Sequence, residues 1–87
     1  MAVPLEIHHE IDVLAQFDAS NHQQGIKIHK SADAALIHAA ARLFDKGLIS
    51  QVDGGYLTRR GIEVIEQLQA ALTILDSEIE DSRAVGA

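Results

Sequence analysis

Six of the chain's seven lysines and arginines fall between residues 27 and 60: Lys27, Lys30, Arg42, Lys46, Arg59 and Arg60. Only three acids, Asp33, Asp45 and Asp53, share that stretch. Cations gathered this way neutralise phosphates, and six such contacts to duplex DNA would make binding fall with salt at a log–log slope near −5, roughly. The rest of the chain is acidic, and the net charge is −6. Residues 1–26 carry Glu6, Glu10, Asp12 and Asp18 with no lysine or arginine, and residues 61–87 carry six acids with Arg83 alone. Such segregation marks either a nucleic-acid face or an ordinary solvated surface.

Other chemistry finds little support in the residues. His8 and Asp12 stand four apart, a spacing that lets two ligands converge on a metal, but no third ligand is near and no HExxH pattern exists. Exposed helix residues are the simpler reading, and no metal is expected. His22, His29 and His38 are scattered over a loop, a strand and a helix. Cysteine is absent, which removes disulfides, zinc–thiolate sites and cysteine nucleophiles. There is no glycine-rich phosphate loop, serine elbow or framed carboxylate pair, so neither enzymatic activity nor a cofactor is expected.

The elements that would position these cations can be read from periodicity. Pro4 suits a first helical turn, and Ile7, Ile11, Leu14 and Phe17 recur at helical spacing, which predicts a helix over 4–17. Turn formers fill 18–25. Gly25–His29 alternates, giving a strand over 26–29 with Ile26 and Ile28 inward. Ser31 can cap a second helix with Asp33 in its first turn, running to Lys46 and burying Leu36, Ala40, Leu43 and Phe44. Gly47 stops that helix and sets Leu48 on Leu43. Strands over 49–52 and 56–58 flank an Asp53-Gly54-Gly55 turn. Thr58 then caps a third helix from Arg59 to at least Leu75. Ile65, Leu68, Leu72, Leu75 and Ile79 follow a three-four spacing along it, the seam of a homodimer or of packing on the first helix.

The run ARLFDKGLISQVDGGYLTRRG, residues 41–61, resembles the end of winged-helix regulators of the multiple-antibiotic-resistance and phenolic-acid repressor type. Leu43, Gly47, Leu48, Ile49, Tyr56, Leu57, Thr58 and Gly61 match the pattern, with Gly61 permitting close approach of the third helix. Over nearly its full length the chain is also similar to a small gammaproteobacterial family whose members are described no further than as candidate DNA-binding proteins. These resemblances imply an α+β, winged-helix-like fold and a transcription-regulator-like role. Between the first strand and the wing there is room for one helix. Its exposed side offers only His38, Arg42 and Lys46, few means of reading base edges.

The expectation is a single domain over 1–81 with a frayed tail at 82–87, three helices and a small three-stranded antiparallel sheet. Its leading function is duplex DNA binding through phosphate contacts by Lys27, Lys30, Arg42, Lys46, Arg59 and Arg60. The alternative is a dimeric protein-interaction module in which Ala34, Ala35, Ala39 and Ala41 meet a partner helix. The N-terminus lacks the charge and apolar block of a signal peptide, and no apolar run approaches a membrane span. A cytoplasmic protein with no membrane partner is expected.

Overall fold

A computed structural model describes residues 2–76. The order is α1 (Leu5–Leu14), β1 (Ile26–Lys27), α2 (Ala34–Asp45), β2 (Ile49–Gln51), β3 (Gly54–Leu57) and α3 (Arg59–Leu75). The antiparallel sheet has the order β1-β3-β2. Three helices around this sheet make an α+β, winged-helix-like arrangement, as the sequence predicts. No helix among the described residues is long and apolar enough to cross a membrane.

Pro4 is the residue just before α1, and its carbonyl accepts from the Ile7 and His8 amides. The helix ends at Leu14, three residues short of expectation. Beyond it the Gln16 and Phe17 amides bond carbonyls three residues back, at 3.0 and 3.1 Å. These tight turns still deliver Phe17 to the core. The apolar spacing identifies what is buried, whereas the hydrogen-bond pattern decides where the helix stops.

α2 is capped by Asp33, whose carboxylate accepts from the Ala35 amide at 3.1 Å; Ser31 is not its cap. The Ala32 amide is committed to a turn with the His29 carbonyl, so the helix starts after that turn. α2 buries Ala39, Ala40 and Leu43, while Leu36 is half-buried and Phe44 is 42% exposed. The buried face is therefore rotated from the expected one. Ala39 and Ala40, both fully enclosed, allow α1 and α2 to pack closely. Ala39 thus serves the core and cannot meet a partner.

Gly47 ends α2 at φ 79°, a left-handed conformation that side chains with a Cβ resist. The Leu48 amide reaches back to the Leu43 carbonyl at 3.0 Å and the Gly47 amide to Phe44, completing the expected stop. The hairpin turn lies at Val52–Asp53, because Gly54 already pairs with Gln51. Ile49 pairs with Leu57, so β3 carries one extra residue. The Ser50 hydroxyl accepts from the Tyr56 amide at 2.9 Å and stabilises this bulge.

β1 stops at Lys27, shorter than the expected 26–29. Ile28 nonetheless stays buried, anchored by its amide to the Asp53 carbonyl at 2.8 Å. Thr58 caps α3 as expected, accepting from the Gly61 amide. Its hydroxyl also donates to the Gly47 carbonyl at 2.6 Å, so one side chain joins the end of α2 to the start of α3. The core combines Val13, Leu14 and Phe17 with the α2 face, four sheet-side aliphatics and Ile65.

Candidate functional site

The six cations are held by different elements and divide into three groups. Lys27 on β1 stands opposite Gly54, at the hairpin-turn end of β3, with its ammonium 3.7 Å from the Asp53 carboxylate. Lys30 is exposed in the turn before α2. Arg59 and Arg60 open α3 beyond Leu57, at the other end of β3, where Thr58 bonds Gly47. The four residues of β3 span roughly 10 Å. Both arginines are exposed and form no ion pair among the described residues. They occupy the first turn of a helix, where backbone amides add positive potential.

Arg42 and Lys46 are placed differently. They lie one turn apart on α2, and both reach the carboxylate of Glu10 on α1. The Arg42 Nε donates to Glu10 Oε2 at 2.8 Å, and its Nη2 donates to the Glu6 carbonyl at 3.1 Å. Lys46 Nζ donates to the other Glu10 oxygen. Glu10 is only 4% exposed. Burial by itself raises its carboxyl pKa, but the Arg42 and Lys46 donors and their charges outweigh this and hold it below the usual glutamate range. Two of the six cations are thus partners of an internal carboxylate, and a phosphate would have to compete with Glu10 for them.

Glu10 is the functional-looking residue that sequence reasoning missed. Its partners are 32 and 36 positions away, beyond any local spacing rule. A signal was present all the same. Glu10 falls between Ile7 and Leu14 on the apolar stripe of α1, where a lone carboxylate needs cationic partners. Arg42 and Lys46, four apart on the next helix, are the pair of matching sign.

The other exposed feature is α3. Its Ile65 is fully buried and Leu68 and Leu72 are half-buried, but Ile74 and Leu75 are 72% and 79% exposed. The apolar stripe therefore runs off the core rather than lying against α1 along its length. Leu72 and Leu75, with Gln69, Thr73 and Asp76, line an open hollow of about 470 Å³. Ile79, the last position of the expected seam, and the expected boundary and tail at 81–87 lie outside the described residues. His8 and Asp12 are both exposed on α1, and no group of three metal-ligating side chains occurs among the described residues.

No curated protein and no solved structure matches this sequence. A family model does, over residues 1–76, spanning every helix and strand described above. The chain belongs to that family, a family of unknown function (DUF5669).

Proposed function

We propose that the protein is a homodimeric interaction module on a winged-helix-like frame, two copies being coupled through α3. One observation carries the reading: the exposure along α3 rises from zero at Ile65 to 79% at Leu75 while the residues stay apolar. A chain of 87 residues has a small core, so covering this stripe with a second copy is a large relative gain. The reading assigns the chain no catalytic step.

The test is the mass in solution. Wild-type protein at micromolar concentration should run as a dimer by light scattering. A Leu72→Glu, Leu75→Glu variant should run as a folded monomer, because each carboxylate would have to be desolvated in the interface. A wild-type monomer would refute the reading.

Duplex DNA contact is the second reading, favoured by the exposed Arg59 and Arg60 at the start of α3, which form no ion pair among the described residues. With Arg42 and Lys46 held by Glu10, four of the six clustered cations, Lys27, Lys30, Arg59 and Arg60, remain per copy among the described residues. The expected salt slope per copy then drops to about −3.6. Fluorescence anisotropy with mixed-sequence duplex should show binding at low salt that an Arg59→Glu, Arg60→Glu variant loses. A flat titration of the wild-type protein at 50 mM salt, roughly the low end of the range where such contacts are strong, removes this reading.

A further inference from the structure

A second hollow lies between α2 and the hairpin turn, and neither α3 nor Arg59 and Arg60 contribute to its lining. Its volume is about 140 Å³. Ala40 and Ile28, both buried, supply carbon at its base, and Ile37 and Ala41 of α2 are half-buried beside them. Val52, 56% exposed at the turn, forms a lip, with His38 and Asp53 also at the lining. The hollow exists because α2 presents alanine at 40 and 41, where a longer aliphatic side chain would fill the space. Its wall is almost wholly carbon.

We infer that this hollow is a binding site for a neutral, apolar molecule of about one ring. Size is the first reason: an aliphatic-lined space of ~150 Å³ has room for benzene. The 140 Å³ here is close to that volume. Wall chemistry is the second, because a polar ligand would lose its water and recover almost no hydrogen bonds. The Ile28 amide at this point is already committed to the Asp53 carbonyl. Charge is the third. The Asp53 carboxylate is answered by Lys27 at 3.7 Å, so this side of the hollow favours neither an anion nor a cation. The inference does not rest on dimerisation or on DNA binding, and it gives Ala41 a role within one chain.

Fluorobenzene is a suitable probe, titrated into ¹⁵N-labelled full-length protein and followed by amide shifts and by ¹⁹F line width. Saturable shifts at Ile28, Ala41 and Val52 are expected, with a Kd of about 1 mM, in keeping with the affinity available to so few atoms. Ala41→Leu should fill the hollow and weaken binding at least tenfold, by order of magnitude. Val52→Asp changes an exposed side chain, keeps the amide spectrum of the folded protein and should weaken binding similarly, so the test survives a failure of Ala41→Leu to fold. Benzoate and benzylamine should bind more weakly than fluorobenzene. Shifts that do not saturate, shifts confined to α3, equal affinity for the charged analogues, or undiminished binding in Val52→Asp would each overturn the inference.

Discussion

Replacing Gly61 by alanine should destabilise the domain by about 3 kcal/mol, although alanine is the better helix former by about 1 kcal/mol. Gly61 is buried in the first turn of α3, and a methyl group there would run into the Leu48 carbonyl oxygen and lie 3.2 Å from Leu57 Cδ2. That carbonyl cannot move freely, because it accepts from the Thr58 amide at 3.0 Å. Relief of the clash must therefore loosen the junction that Thr58 makes between α2 and α3. For a domain of this size the loss corresponds to a fall in Tm on the order of 15 °C. Gly47→Ala is the informative control. It has φ 79° but open space around it, so only the conformational cost applies, about 1 kcal/mol. Thermal melts of the two variants should be well separated, and a Gly61→Ala melt within 2 °C or so of wild type would show that the helix can retreat without loss.

The second large effect should come from Glu10→Gln. A buried ion pair that loses one member typically costs 3–5 kcal/mol, roughly, when the remaining charge stays buried. Here the Arg42 and Lys46 side chains are 35% and 46% exposed and can turn to water. The expected loss is therefore smaller, about 2 kcal/mol at neutral pH. The pH dependence has a definite sign. Because the folded-state carboxyl lies below its ordinary value, the unfolded chain binds the proton more readily. Stability from this cluster is complete above the unfolded glutamate value of 4.5 and is lost as pH falls through the lower folded value. Urea unfolding of wild type should weaken over that interval more steeply than that of Glu10→Gln, and the two should converge in acid. Parallel curves separated by the same amount at pH 7 and in acid would assign the stability to something other than the carboxylate's charge.

These two sites show different degrees of legibility. Gly61 could be singled out from the linear order because it follows Thr58 by three residues, and a glycine in a first helical turn demands a packing reason. Which atom it approaches could not be read, since Leu48 comes to it only through the pairing of the hairpin with the helix start. The Glu10 cluster was legible only as an anomaly. The same cations that look like a phosphate face in one dimension include two that point at α1 once α2 is docked. Linear charge counting cannot separate a cation facing solvent from one facing a carboxylate on another helix. Phe44 illustrates a smaller error of the same kind: at i and i+8 it shares a stripe with Leu36, yet the packed α2 turns so that Ala39 is inside and Phe44 is 42% exposed.

From the chain alone followed those features that depend on neighbours a few residues apart. They are the glycine stop at 47, the threonine cap at 58, the three helices, the strand-turn-strand between two of them and the α+β class. Backbone sterics and side-chain capping act over a single turn, so local order suffices to specify them. Docking decided the rest: the rotation of α2, the fate of Arg42 and Lys46, the hollow above Ala40, and how much of α3 the core covers. Each depends on contacts between residues tens of positions apart, where the burial of one group is set by the shape of another element.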